Sequence, residues 1–405
     1  MAPPCSEADM MTPFSLTDEQ RAIQDAAFRY AEAELHPLFA RMDDEDWYPE
    51  HLMAKLGADG YCGLTAPVDL GGAGMDLLSA GLVAEAFAYW NTNASFIWGP
   101  HENLCLNNIL RNGSPEQIAR FVPGLISGQK VGALGLTEPG AGSDALGSMA
   151  TRAVRDGDDY VITGRKMFIS NGPVADVILL YAKTAPDLGP KGISAFVVET
   201  DSPGFQVAQK LNKMGWRGCP TGELVFDGMR VPAANRLGAE NAGVGVVMSG
   251  LDIERAFLCL PSIGAAQRCL DLSLDHAALR RQFGRPIGSF QMIQSHLAEM
   301  ATLIEAARLT AYGALAACDA MQHGEGGRGT IHRLCAQSVM FGADMLARVT
   351  DLAVQIHGGS GFIWETEVNR HYRNARIASL GGGTTEVRKL IIAEELFRER
   401  GLSLR

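Results

Sequence analysis

No stretch of the 405 residues approaches the ~18 uninterrupted apolar positions that span a bilayer, so no membrane helix is expected. Positive charge is also scarce. The 35 Lys and Arg stand against 46 Asp and Glu, a formal net charge of −11, and a chain without a basic footprint is not expected to bind nucleic acid. Met1 to Met10 has neither a basic flank nor an apolar run, so no secretory signal or Arg-rich transit peptide is read there and a cytoplasmic location is expected. The cysteines number 8, at Cys5, Cys62, Cys105, Cys219, Cys259, Cys269, Cys318 and Cys335. They form no Cys-x-x-Cys pair and have no His at ligand spacing, so reduced, buried thiols are expected, with no disulfide and no metal site.

What is present changes character twice along the chain. From Ser15 to about Gly128 apolar residues recur at helical spacing. Thr17 and Gln20 carry a capping-box pattern, and Ile23, Ala26, Ala27, Tyr30, Ala31 and Leu35 make one stripe, which Pro37 is expected to stop. Further helices are read near 50–58, 76–90, 101–112 and 115–127. Between Val131 and Pro232 the texture becomes short β-rich runs: 131–136, 160–163, 167–169, 177–181, 193–198 and 223–226. Without helices long enough for parallel crossovers, an antiparallel barrel or sandwich is expected. Beyond Gly238 helices return. Ile293, Leu297, Met300, Ile304, Ala307, Ala311 and Leu315 keep a helical period long enough for a bundle, and Pro261 predicts a kink near Leu260. The fold class is thus α+β: an N-terminal helical domain (1–128), a middle antiparallel β-barrel domain (129–238) and a C-terminal four-helix bundle (239–405).

Three loops carry chemistry-bearing residues. Leu136-Thr-Glu-Pro-Gly-Ala-Gly-Ser-Asp144 leaves a strand as small and polar residues that expose backbone N–H groups. Lys166-Met-Phe-Ile-Ser170 sets an aromatic ring and a hydroxyl two apart, hence on one strand face. Gln355-Ile-His-Gly-Gly-Ser-Gly361 and Gly381-Gly-Gly-Thr-Thr-Glu386 are Gly-rich but follow no strand, which excludes a Rossmann fingerprint. Each motif alone is weak.

Taken in order, and with Arg280-Arg-Gln-Phe-Gly284, these motifs resemble those of the acyl-CoA dehydrogenase family over nearly the whole chain. The resemblance implies FAD held by Leu136, Thr137, Gly142 and Ser143 on one side and by Phe168, Ile169 and Ser170 on the other. The family usually has Trp and Thr where this chain has Phe168 and Ser170, which keep an aromatic face and a hydroxyl. It further implies that Arg280, Phe283, Gln291, Gln355, Gly358 and Gly359 hold the adenosine diphosphate of a neighbouring subunit's FAD, with Thr384 and Glu386 as additional contacts. A homotetramer, a dimer of dimers, follows from that sharing.

Most of the family carries its catalytic Glu just before a Gly-Thr pair, at the position of Gly382 in this chain. The isovaleryl-CoA type instead places it on a helix resembling Ser249-Gly-Leu-Asp-Ile-Glu-Arg255, which makes Glu254 the expected base. Gly382 would then offer only its N–H to the thioester oxygen, with Gly383 beside it. Ser143, Lys191, Asp252 and Arg255 fall on family positions near the CoA. Gly245 replaces a Tyr found in isovaleryl-type members, and its openness suits another, longer acyl group. The expected reaction is α,β-dehydrogenation of short or medium, branched acyl-CoA, with electrons passed to electron-transfer flavoprotein. A flavin oxidase or monooxygenase of the same fold, or a non-catalytic scaffold, are the alternatives.

Overall fold

The computed structural model describes residues 16–320 and 327–402. Cys5 and the N-terminal segment read for targeting signals lie outside them. The first region is helical: α1 (Asp18–Tyr30), α2 (His36–Asp44), α3 (Leu52–Ala58), α4 (Leu77–Trp90), α5 (Thr92–Gly99), α6 (Asn107–Asn112) and α7 (Pro115–Ile126). Thr17 and Gln20 form the expected capping box on α1. Pro37 does not stop this helix. A widened π turn, Ala31–Leu35, leads into α2, and Pro37 sits in the first turn of α2, where its missing N–H is tolerated. A second π turn, Pro100–Leu106, joins α5 to α6, so helix begins at Thr92 rather than at residue 101.

The middle region is an eight-stranded sheet: β1 (Gly132–Gly135), β2 (Arg152–Asp156), β3 (Asp159–Ser170), β4 (Val177–Lys183), β5 (Ile193–Glu199), β6 (Phe205–Lys210), β7 (Thr221–Pro232) and β8 (Arg236–Leu237). The order is β6-β7-β3-β2-β4-β5-β8, with β1 on β4. It is not wholly antiparallel, since β4 pairs in parallel with both β1 and β2. The chain between β1 and β4 is long enough to return β4 in the same direction by way of the β2–β3 hairpin. Along β4, Val177, Leu179 and Tyr181 face the N-terminal helices, while Ile178, Leu180 and Ala182 fill the opposite face. The period-2 alternation of a strand therefore feeds two cores at once.

The last region holds α8 (Gly243–Phe257), α9 (Cys259–Leu279), α10 (Gln291–Asp319), α11 (Gly329–His357), α12 (Gly359–Phe362), α13 (Glu367–Ala375) and α14 (Thr385–Glu399). The break between α8 and α9 falls at Leu258. Pro261 has no N–H to offer the Phe257 carbonyl, so the helix turns there. The first and last regions share one core, in which Leu82 and Phe87 of α4 meet Leu260 and Ile263 of α9 and Met300 and Leu315 of α10. Close approach of α4 to α9 depends on Gly264, where a Cβ would stand 2.1 Å from the Glu85 carbonyl oxygen. The seven described cysteines are buried and free, although the sulfurs of Cys318 and Cys335 stand 3.4 Å apart. Among the described residues no helix is long and apolar enough to cross a membrane.

Candidate active site

Helix α8 carries Glu254 into the interior. The residue is 5% exposed, and among the described residues its Oε2 has no hydrogen-bond partner. Burial pushes the carboxyl up to about 8, opposed by the amide of Asn103 on the π turn. One turn further on, the Leu258 side chain occupies the space beside the loop that precedes α14. A Cβ at Gly382 would lie 2.9 Å from Leu258 Cδ1, and Gly382 (φ +68°) and Gly383 (φ +96°) both hold backbone that side chains rarely adopt. The backbone at 382 therefore strains any side chain, and the end of the Leu258 side chain would have to give way to a Cβ there.

Two buried arginines fix that loop. Arg388 donates to the carbonyls of Ala378 (2.9 Å), Val339 (3.4 Å) and Gly381, and Arg255 Nε reaches the Gly382 carbonyl at 3.5 Å. With the carbonyls engaged, the Gly382 N–H makes no intramolecular hydrogen bond among the described residues. Thr384 caps α14 by accepting from Val387 N–H, while Glu386 in its first turn is exposed.

At the other joint, β1 runs into the 136–144 loop, which is closed by reciprocal backbone bonds between Glu138 and Ala141 (3.2 and 3.1 Å). Lys166, fully buried on β3, donates to the Leu136 carbonyl (3.0 Å) and to Glu138 Oε1 (2.8 Å), and Met167 N–H donates to the Thr137 carbonyl (2.8 Å). Glu138 also accepts from the N–H groups of Ala150 and Thr151. Burial opposes its ionisation, but the Lys166 charge and these donors outweigh it, and the carboxyl lies below its ordinary value. Burial in turn lowers Lys166 to about 8.

Just beyond Lys166 the β3–β7 register slips. The resulting bulge holds Phe168 at φ +61° with its ring 66% exposed, where a regular strand would bury it. Bulges that re-aim one side chain recur beside functional sites. Leu136, Thr137, Phe168 and the half-buried Ser170 are thus brought to one rim, whereas the Ile169 side chain turns into the sheet core and leaves only its backbone available. Gly142 and Ser143 lie exposed on the same loop.

A further set gathers elsewhere. His276 near the end of α9 stacks on His357 at the end of α11, with ring centroids 4.3 Å apart. This draws exposed Arg280 toward exposed Gln355, Gly358 and Gly359; Phe283, 91% exposed, and Gln291 stand on the segment that follows. Of the residues expected near a CoA, Lys191 is exposed and Gly245 opens onto empty space. Asp252 and Arg255 differ from the rest. Asp252 is fully buried and accepts from His332 Nδ1 (2.6 Å), Gly327 N–H (2.6 Å) and Arg255 (3.3 Å). With those partners the pair braces α8 against α11 and the 382 loop, and neither side chain lies on the surface. The sequence reading gave no role to Lys166, Asn103 or Arg388. A Lys placed where a strand's alternation calls for an apolar residue was the available signal for the first.

Comparison with known proteins gives this arrangement its class. The N-terminal, middle and C-terminal domain models of acyl-CoA dehydrogenase match residues 17–129, 133–229 and 241–397. The chain belongs to the acyl-CoA dehydrogenase family, flavoproteins that use FAD to oxidise a CH–CH bond. It is 40% identical over 385 residues to the mitochondrial isovaleryl-CoA dehydrogenase of Oryza sativa, covering 94% of this chain and 92% of that protein. The mitochondrial 2-methylacyl-CoA dehydrogenase of Solanum tuberosum is 38% identical over 397 residues, 97% of this chain and 94% of that protein. Butyryl-CoA dehydrogenase from Megasphaera elsdenii superposes with a TM-score of 0.91 at 35% identity, over 96% of this chain and all of that one.

Proposed function

We propose that the protein dehydrogenates short- or medium-chain, branched acyl-CoA thioesters between the α and β carbons, with Glu254 as base and electron-transfer flavoprotein as acceptor. The observation that carries this reading is the buried Glu254 Oε2 on α8, without a partner among the described residues, combined with a Gly382 whose positive φ disfavours a side chain. The residues present fit FAD. The bulge presents the Phe168 ring, the 136–143 loop is riveted to β3, and the Gly382 N–H has no acceptor of its own.

Bound FAD supplies a two-electron acceptor for the hydride that leaves the β carbon. Glu254 takes the α-proton at Oε2. Burial makes its ionised form a stronger base than an exposed carboxylate, at the cost of a smaller ionised fraction at neutral pH. Arg255 and Arg388, by holding the loop carbonyls, leave the Gly382 N–H free to donate to the thioester oxygen as negative charge develops there. The exposed group around Arg280 and Gln355 suits the diphosphate of a second subunit's FAD, which supports a homotetramer. Thr384 and Glu386 stand at the start of α14 as further cofactor contacts, and Ser143 and Lys191 suit the CoA.

Gly245 lies on the first turn of α8 with nothing within 4 Å of a Cβ, which leaves room for acyl groups longer or bulkier than isovaleryl. Anaerobic flavin reduction across straight and branched acyl-CoAs tests this. A branched substrate of more than five carbons is expected to reduce the flavin fastest. Gly245→Tyr should then cut kcat/KM for the longer substrates by roughly 10-fold or more, about the 1–3 kcal/mol a pocket gains or loses with a methylene-sized change, while sparing the shortest. Equal losses for all chain lengths would remove Gly245 from the acyl pocket. Rapid re-oxidation of the substrate-reduced protein by air would favour the oxidase reading instead.

A further inference from the structure

The π turn Pro100–Leu106 packs against α8 and is tied down residue by residue. His101, fully buried, donates from Nε2 to the Leu125 carbonyl (3.0 Å) and accepts at Nδ1 from Gly132 N–H (2.9 Å). Glu102 accepts from the N–H groups of Gly63 (2.8 Å) and Leu64 (2.7 Å). Asn103, 3% exposed, is the next residue, and its amide has one end engaged and one end free. Asn107 Nδ2 donates to Asn103 Oδ1 at 3.2 Å, and the Thr65 hydroxyl donates to Asn107 Oδ1 at 2.9 Å. Among the described residues neither Asn103 Nδ2 nor Glu254 Oε2 has a hydrogen-bond partner.

We propose that Asn103 is a positioning residue for Glu254, its amide oxygen engaged by Asn107 and its unpartnered nitrogen left for the base. A buried amide can flip to present oxygen or nitrogen. Here Asn107 Nδ2 donates to Asn103 Oδ1, which leaves the Asn103 nitrogen to face the carboxyl, and the Thr65 hydroxyl beside Asn107 Oδ1 completes that arrangement. A donor held there favours the charged carboxylate and limits how it can turn. The widened turn contributes as well, since a π turn shifts the residues after it around the helix by comparison with regular α geometry.

Charged groups on the elements around α8 are engaged away from Glu254. On α8 itself Asp252 and Arg255 pair with each other and with His332 of α11. Arg111 of α6 donates to the Ser249 carbonyl. On α10, Arg308 pairs with Glu85, and Asp319 accepts from Leu77 N–H. On α9, Arg268 pairs with Glu367, and Lys191 on the 186–192 turn is exposed. Asn103 is the side chain that opposes the effect of burial on Glu254.

This inference rests on Glu254 being the base, and its test separates the two. In Asn103→Leu the donor is lost and the volume kept. The acid limb of kcat/KM should move up by roughly 0.5–1 pH unit, so that kcat/KM at pH 7 falls roughly 3- to 10-fold and recovers to within about twofold of wild type near pH 10. KM and FAD content should stay near wild type. Asn107→Leu, which removes the donor on Asn103 Oδ1 and leaves that amide free to flip, should shift the limb the same way by less, and it carries the test alone if Asn103→Leu does not retain FAD. An unmoved acid limb in the FAD-loaded variants overturns the positioning role. If Glu254→Gln still reduces flavin with substrate, it is the base assignment that fails.

Discussion

Replacing Glu254 by Gln is expected to leave FAD bound and the protein folded while slowing anaerobic flavin reduction by acyl-CoA by about 10²- to 10⁴-fold, the range that a positioned general base contributes. Gln keeps the shape and an oxygen that can accept from Asn103, so loss of rate reports loss of the base and not collapse of the pocket. No other residue stands ready to replace it. Gly382 has no side chain, and its backbone (φ +68°) disfavours one. Asp252, the nearest acid in sequence, is fully buried with three donors already on it. Because burial lifts Glu254 to about 8, the activity of the wild-type protein should rise with pH through that value as the base ionises. Reduction at an unchanged rate in Glu254→Gln would remove the residue from the mechanism.

The second large effect is expected at Lys166→Met. The Lys166 side chain is fully buried, and Glu138 is 4% exposed. Taking away the ammonium leaves a carboxylate in the interior with backbone donors alone, a change that costs about 3–5 kcal/mol when one member of a buried pair is removed. It also frees the Leu136 carbonyl, so the 136–143 loop loses its hold on β3. The expected result is a lowered midpoint of unfolding in denaturant together with loss of FAD on gel filtration. Lys166→Met with Glu138→Gln should recover part of the stability, because the stranded charge is gone. A single variant as stable and as yellow as wild type would show that the pair does not hold this loop.

Much of the fold could be read where local pattern and burial agree. The long stripe from Ile293 to Leu315 lies in α10, and the runs at 177–181 and 193–198 are core strands because both of their faces are buried. Where they disagree, the reading failed. Pro37 reads as a helix stop, but a π turn absorbs it. Strands β2 and β6 are mostly exposed and polar, Arg152-Ala-Val-Arg-Asp156 and Phe205-Gln-Val-Ala-Gln-Lys210, so no alternation announces them. The parallel pairing of β4 with β1 and β2 depends on the path of the whole chain and leaves no local mark.

The candidate site was legible to the extent that it consists of loops with unusual composition. The Leu136–Asp144 and Gly381–Glu386 segments stand out by their glycines, and Glu254 is implied by the resemblance of Ser249–Arg255 to the isovaleryl-CoA type together with the glycine at 382. Long-range partners were not legible. Asn103 lies about 150 residues from Glu254 along the sequence, and nothing in the spacing of Gly99 to Cys105 reveals that a π turn brings the amide to the carboxyl. Asp252 and Arg255 are placed near the CoA only by the family resemblance, and nothing in their spacing shows that both side chains are buried and paired.

Proton removal can be separated from flavin reduction with an acyl-CoA analogue whose β carbon is replaced by sulfur, so that no hydride can leave. Incubated in D₂O with the FAD-loaded protein and followed by NMR, its α-protons should exchange for deuterium with the wild type and remain with Glu254→Gln. Equal exchange by both proteins would contradict the assignment of Glu254 as the base.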